Sequence, residues 1–465
     1  MCMDIISALK SIVGEHVLSS KEDLIPYQKD ASFYEGVNPL AVVIPRTTEE
    51  VSKIMKFCYD NNIEVVTRGG GTSLTGSSIL TSKGIMISME RFDKILEAKI
   101  EDRYVIVEPG VRIDNLNSYL ALYSYFYPPD PASSIAATVG GSIATNAGGL
   151  RAAMYGATKE WVLGLEVVLP TGKIVQFGGK ILKRTLGYDL TAIMIGSEGT
   201  LGIITKAILK IAPLPEQSGR ILTYFSTIET AGEAVSELKK NGITPLIAEF
   251  MDRYSMDAIT KIKKITFPKD AKYLLIIDIA STKESINNKL EESSKILKKF
   301  NPIDIQVTTD PVEMDRIYQA RKGLYSSQLQ ERADVNEYVI IGDVVVPTSE
   351  LPNTLKEASN KIGEYGFKVV LFGHIGDGNI HTNIFADVKD PEKMKKADSL
   401  MIEIGKIAIK HGGSVSSEHG IGLEKRVLLI EEFKQKGSLE NLEIMKNIKK
   451  IFDPKNLLNR GKIFE

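Results

Sequence analysis

Three glycine-rich segments within the first 203 residues constrain this chain more than any other feature. They read RGGGTSLTG (68–76), TVGGSIATNAGG (138–149) and GSEGTLGI (196–203). Consecutive glycines let backbone N–H groups approach an anion with no Cβ in the way, and they admit left-handed dihedrals. The first segment adds Thr72, Ser73 and Thr75 as hydroxyl donors. It is not a phosphate loop of the Walker type: Gly71 and Gly76 have that spacing, but Ser77 stands where lysine is needed. The region also lacks GxGxxG, so a nucleotide needs another kind of cradle. One such loop is equally well read as a tight turn. Three of them are better explained by convergence on one extended ligand.

A chain of 465 residues exceeds what one hydrophobic core organises, so two or more domains are expected. The 58 basic and 59 acidic side chains leave a net charge of -1, which gives no electrostatic case for nucleic acid. The two cysteines, Cys2 and Cys58, form no CxxC, which argues against an iron–sulfur cluster, a zinc ribbon or a disulfide framework. The first residues, MCMDIISALKSIVGEHV, carry charges and no signal-type apolar core, and no stretch nears ~18 uninterrupted apolar residues. A soluble, cytoplasmic protein is expected, with peripheral contact at the inner face of a membrane left open.

The front section reads as mixed α and β. Residues 41–45 form a short apolar strand. Thr47 and Glu50 give a capping-box pattern, followed by Val51, Ile54, Met55 and Cys58 at helical spacing up to Asn61 and Asn62. Strands are expected at 63–67, 84–89, 104–108, 161–170 and 174–177. The stretch 128–149 reads as a long functional loop. The polar run LPEQSG (214–219) marks a domain boundary. Beyond it, helices are expected at 230–241 and 284–300 and strands at 272–279 and 338–346. A helical tail begins at 423. The resulting division is 1–215, 216–425 and 426–465.

Three of the five histidines occur in two glycine-rich loops, GHIGDGNIH (373–381) and SEHGIG (417–422). An isolated histidine is more often structural, and His16 and His411 are read that way. His374, His381 and Glu418 make an open divalent-metal set, two imidazoles and a carboxylate, that leaves positions for water or substrate. Glu418 and His419 are adjacent and point in different directions, so His419 can face the substrate while Glu418 binds metal.

The segments RGGGTSLTG, VEPG (107–110), PPDPASS (128–134), TVGGSIATNAGG, YG (155–156) and GSEGTLGI occur in an order and spacing that resemble the FAD-binding domain of the vanillyl-alcohol oxidase and para-cresol methylhydroxylase family. Across the whole chain the resemblance is to one branch, the glycolate oxidase large subunits, D-lactate dehydrogenases and D-2-hydroxyglutarate dehydrogenases. It implies an α+β protein: a two-subdomain FAD-binding domain, an α+β cap domain with an antiparallel sheet, and a C-terminal helical segment returning to the FAD domain. It implies that Arg68, Gly69, Gly70, Gly71, Thr72, Ser73 and Gly76 wrap the FAD pyrophosphate. Pro129, Ser133, Thr138, Gly141, Thr145, Asn146 and Gly149 would line the ribityl chain and isoalloxazine. Glu198, Gly199 and Ile203 would contact the adenine side or the ring, and Asn459 would reach back to the flavin. No His or Cys lies in the glycine loop, so the FAD is expected to be non-covalent.

The same resemblance implies that His374, His381 and Glu418 hold a divalent ion, zinc with manganese or iron as alternatives. His419 would be the base, Asn383 would touch substrate, and Arg321 would clamp the substrate carboxylate; a solvated salt-bridge arginine is the alternative for Arg321. The hydroxyglutarate branch has a lysine near the end of the strand that reads IIGDVVVP here, and Ile341 stands at the comparable place. That favours D-lactate, glycolate or another monocarboxylate over a long dicarboxylate. The expected partners are a 2-hydroxy acid and an external electron acceptor (a quinone, a cytochrome, an electron-transfer flavoprotein or an iron–sulfur subunit), with no nucleic acid and with a homodimer allowed for. The competing readings are a non-redox flavoenzyme of the alkyl-dihydroxyacetone-phosphate synthase type, a zinc hydrolase with purely structural glycine loops, and a flavin subunit that only relays electrons.

Overall fold

The computed structural model describes residues 5–464, so Cys2 lies outside the described residues. The chain divides into two compact units. One comprises residues 1–147, 157–214 and 418–465, and the other residues 148–156 and 215–417.

In the first unit the expected strand–helix–strand opening is present. Strand Ala41–Val43 leads into helix Thr48–Asp60 and then strand Glu64–Arg68. Thr47 caps the helix by accepting from Glu50 N at 3.2 Å. The Glu50 carboxylate reaches back one residue further than a standard capping box, to Arg46 N at 2.6 Å. The helix buries Val51, Ile54, Met55 and Cys58 against the strands, and burial pushes the Cys58 thiol up to about 12. Both Ala41–Val43 and Glu64–Arg68 pair in parallel with Gly84–Ser88, and Val17–Leu18 adds an antiparallel edge.

A second, five-stranded sheet of this unit is wholly antiparallel, in the order 95–99, 104–107, 203–210, 162–168, 174–178. Buried Glu166 ties the two subdomains together by accepting from Thr48 Oγ1 at 2.8 Å and Thr205 Oγ1 at 2.9 Å. The stretch read as a long loop contains a helix, Val139–Thr145, capped by Thr138. Its glycines and alanines mask a helical signal that depends on Val139 and Ile143 being buried.

The second unit is built on one eight-stranded sheet, and every pairing in it is antiparallel. Helices Ile228–Lys240, Ile286–Lys298, Leu351–Tyr365 and Pro391–Lys410 pack together on one side. On the other side, Met251, Leu274, Ile276, Phe372 and Phe385 meet residues of helices Arg253–Lys263, Pro311–Lys322 and Leu324–Leu329. The strand expected over 338–346 is broken into Glu337–Ile341 and Val344–Val345. Gly342 exchanges both backbone hydrogen bonds with Thr382 at 2.8 and 3.3 Å, and the chain then turns Asp343 inward. Among the described residues no helix is long and apolar enough to cross a membrane.

Candidate active site

In the first unit the three glycine loops meet. Gly70 has no room for a side chain, because a Cβ there would lie 2.2 Å from Ala136 O. The loop after strand Glu64–Arg68 therefore lies directly on the segment leading to Thr138. Ser73 shapes this loop itself: its Oγ accepts from Thr75 N at 3.3 Å, Ser77 N at 3.2 Å and Ser77 Oγ at 2.7 Å. The Arg68 guanidinium is mostly buried over the Tyr27 ring, and burial lowers its pKa against the opposing pull of Asp30 and Tyr27. Its Nη1 has no hydrogen-bond partner.

The third glycine loop has a role that the sequence does not announce. Buried Glu198, at φ +50°, accepts from Ile421 N at 2.7 Å and from Gly422 N at 2.9 Å. Burial pushes its carboxyl up to about 7, opposed by those two N–H groups and by Lys462 and Lys425. Leu423 N donates to Thr75 O at 2.8 Å, and Thr75 Oγ1 donates to His419 O at 3.4 Å. A Cβ on Gly422, which sits at φ +52°, would lie 2.3 Å from Thr75 O. The loop carrying Glu418 and His419 is thus fastened to two of the glycine loops. His419 Nε2 lies 3.9 Å from Glu418 Oε1.

Asn459 fastens the same region from the C-terminus. Its Nδ2 donates to Ser77 O at 2.8 Å and Glu198 O at 2.5 Å, while its Oδ1 is buried without a partner. Thr138 accepts from Gly141 N at 3.3 Å, Thr145 donates to Gly141 O, and Asn146 in the left-handed region accepts from Lys159 N at 2.9 Å. Pro129 is buried beside Asp130, and Ser133 O receives Ala136 N and Ala137 N. Gly199 is another left-handed glycine, and the Ile203 side chain lies in the hydrophobic core. Gly149 belongs to the second unit. The cradle suits a dinucleotide: phosphates would match the unpartnered Nη1 of Arg68, and polar ring edges would match Asn459 Oδ1.

In the second unit the polar residues converge on one sheet face. Strand Ile247–Asp252 carries Glu249, and strand Asn379–Asp387 carries His381 and Asn383 two residues apart. Glu249 is fully buried between two partners, His374 Nδ1 at 2.6 Å and Arg321 Nη2 at 2.5 Å. The Arg321 contact satisfies the ion-pair distance without hydrogen-bond alignment, and both Nε and Nη2 of Arg321 remain unsatisfied. We therefore read Arg321 as charge-paired with Glu249 while its donors point elsewhere. The guanidinium also stacks over Phe372 at 4.8 Å.

His381 Nδ1 lies 3.2 Å from Gly342 O, and a carbonyl only accepts, so Nδ1 carries the proton. His374 Nδ1 faces the Glu249 carboxylate oxygen in the same way. A divalent cation would bind each ring through Nε2, with the partner at Nδ1 in place. The rings stand edge to face, 5.3 Å apart, with ring nitrogens within 4.8 Å of one another. Asn383 Nδ2 donates to Gln328 Oε1 at 2.5 Å, which leaves Asn383 Oδ1 and Gln328 Nε2 buried and unpartnered. Asp343 accepts from Asn379 Nδ2 at 2.6 Å and Ser417 N at 3.0 Å. His411 is held by Glu350 and Glu357, in keeping with a structural role.

Glu249, Gln328 and Asp343 were not singled out from sequence. The only signal for Glu249 was a carboxylate inside the apolar strand IAEFMD, which buried-charge arguments flag as paired. Gln328 and Asp343 carry no pattern of their own.

Residues 39–178 match the model of an FAD binding domain, and residues 214–463 match that of the C-terminal domain of FAD linked oxidases. The glycolate oxidase subunit GlcD of Bacillus subtilis is 35% identical over 450 residues, covering 97% of this chain and 94% of that protein. The D-lactate dehydrogenase of Anaerostipes hadrus is 33% identical, covering 99% and 97%. The substrate-bound crystal structure of p-cresol methylhydroxylase superposes with a TM-score of 0.79 at 19% identity, over 98% of this chain and 96% of that one. Alkyldihydroxyacetonephosphate synthase superposes at 0.74 and 19%, covering 96% and 82%. These two structures establish the expected α+β fold of the para-cresol methylhydroxylase type. With more than half its length matched by the oxidase C-terminal model and relatives aligned end to end, this chain is an FAD-linked oxidoreductase and belongs to the FAD-linked oxidase family.

Proposed function

We propose that this protein oxidises a D-2-hydroxy acid, of the D-lactate or glycolate kind, to the 2-oxo acid. One observation carries the reading: a single buried sheet face holds two imidazoles, each with Nδ1 against an oxygen acceptor, beside an arginine with two unsatisfied nitrogens. A hydroxy acid offers the matching set, a carboxylate for Arg321 and oxygens for a cation. The names of the relatives, glycolate oxidase subunit and D-lactate dehydrogenase, point the same way.

Bound non-covalently, FAD supplies a two-electron acceptor at flavin N5. A divalent ion on His374, His381 and Glu418, zinc or else manganese or iron, supplies charge that favours the substrate alkoxide. Arg321 pairs with the substrate carboxylate through its two unsatisfied nitrogens and sets which face of Cα is presented. Asn383 positions the substrate through its unpartnered Oδ1. His419 takes the hydroxyl proton, a task suited to an imidazole near neutral pH. The electron acceptor is external, the working location is the cytoplasm, and a homodimer fits the reading.

The test is an anaerobic titration of the purified yellow protein with a panel of D- and L-2-hydroxy acids, followed by flavin absorbance. Bleaching by the D series is expected. A flavin that stays oxidised with every member would overturn the proposal. The ether-synthase reading predicts no bleaching, and the zinc-hydrolase reading predicts a colourless protein.

A further inference from the structure

A cavity of the second unit adjoins Asn383, proposed above to position the substrate. It has a volume of about 450 Å³ and is lined by Ala258, Val370, Phe385, Gln328, Lys261 and Lys368, among others. Three of these touch Asn383 through the fold: Gln328 accepts its Nδ2, Val370 is its register partner, and Phe385 lies two residues along on the same face. Gln328 is 1% exposed, and its Nε2 has no partner. If both amides are turned over, the bond between them persists and each still keeps one unpaired end. The inner wall of the cavity is therefore a buried polar group with bonding capacity to spare.

The mouth of the cavity is close to neutral. Lys261 and Lys368 share Glu331: Lys261 Nζ lies 2.8 Å from its carboxylate, and Lys368 Nζ lies 3.1 Å from its backbone O. Lys368 Nζ also covers the Phe385 ring at 4.2 Å. Both ammonium groups are thus engaged, and Ala258, Val370 and Phe385 supply apolar wall beside the Gln328 amide. Ile341, the register partner of Asn383 on strand Glu337–Ile341, adds no charge. Glycolate has no side chain and lactate only a methyl, so neither fills such a volume.

We infer that this cavity receives the side chain of the substrate, and that the enzyme takes 2-hydroxy monocarboxylates whose uncharged side chain is longer than the methyl of lactate. The inference rests on the proposed oxidation of 2-hydroxy acids and specifies its substrate class. Gln328 is the specificity-determining residue: it stands between Asn383 and the cavity, and its free amide end meets the side chain as it passes.

The experiment compares kcat/KM of the holoenzyme across D-2-hydroxy acids of increasing length, from glycolate to 2-hydroxyoctanoate, with 2-hydroxyglutarate and 2-hydroxyadipate as dicarboxylates. Each added methylene up to the cavity limit is expected to raise kcat/KM roughly fourfold. Ala258→Phe, which fills the cavity, should remove that gain and leave glycolate turnover unchanged. Thr260→Trp, at the partly exposed mouth, gives the same readout should Ala258→Phe fold poorly. A flat or falling chain-length series, an unchanged series in the filled variant that folds, or a preference for the dicarboxylates would each overturn the inference while leaving hydroxy-acid oxidation intact. No bleaching by glycolate, lactate or any longer acid would instead remove the underlying functional reading.

Discussion

Glu249 organises the candidate site although it has no assigned part in the chemistry. A carboxylate with no exposed surface is costly unless paired, and here it is shared between His374 and Arg321. One carboxylate therefore holds both the His374 ring and the Arg321 guanidinium. Lysine cannot reproduce this arrangement, because it lacks the planar fork that meets Glu249 and, under the proposed function, a substrate carboxylate as well. Arg321→Lys is expected to lower kcat/KM for the hydroxy acid by roughly 10- to 100-fold, the value of one charge-assisted bond. FAD content should be unchanged, since Arg321 lies outside the flavin-binding unit. Steady-state kinetics with flavin absorbance as the loading control checks both.

Glu198 makes a prediction about pH. Burial raises its folded pKa from an ordinary 4.5 to about 7. The folded state therefore binds the extra proton more tightly than the unfolded chain. The resulting stabilisation is complete below pH 4.5 and is lost as pH rises through 7. That rise in pKa corresponds to a loss on the order of 3 kcal/mol. Glu198→Gln lacks this slope. The difference in Tm between wild type and Glu198→Gln, measured on FAD-free protein from pH 4.5 to 8, should favour wild type most at the acid end. A difference independent of pH would contradict the assignment.

At the scale of elements, the sequence was most legible where local rules suffice. Thr47, the apolar face 51–58 and Asn61 place helix Thr48–Asp60 correctly because cap and periodicity agree. It was least legible where tertiary contacts override pattern. The helical tail expected from residue 423 begins at Arg426, because residues 421–423 are spent on hydrogen bonds to Glu198 and Thr75. The glycine loops were recognised as a set, but Ser73 and Glu198 turn out to hold loops together through hydrogen bonds internal to the unit. His374 and His381 were legible as ligand candidates, whereas their partners Glu249 and Gly342 come from distant strands and leave no spacing signal. Gly422 belongs to this level. Gly422→Ala places a Cβ against Thr75 O in a left-handed backbone, at an expected cost of about 1–3 kcal/mol. Thermal melts should show that loss, with weaker retention of FAD. A variant with unchanged Tm would mean that the loop around His419 is less tightly fastened than these contacts imply.

On the scale of the whole molecule, the two units divide the labour. One provides the FAD binding domain, formed from glycine loops, and carries His419 and Glu418. The other provides an antiparallel sheet whose buried face holds His374, His381, Asn383 and Arg321. The proposed chemistry requires a cation as well as the flavin, so the two requirements should be separable in one protein sample. The direct measurement is anaerobic stopped-flow reduction of bound FAD by a D-2-hydroxy acid, before chelation, after verified metal removal, and after reloading with zinc or manganese. The expected result is a protein that stays yellow throughout, loses flavin reduction by roughly 100-fold or more when stripped, and regains it on reloading. Reduction at an undiminished rate in the stripped protein would contradict the account.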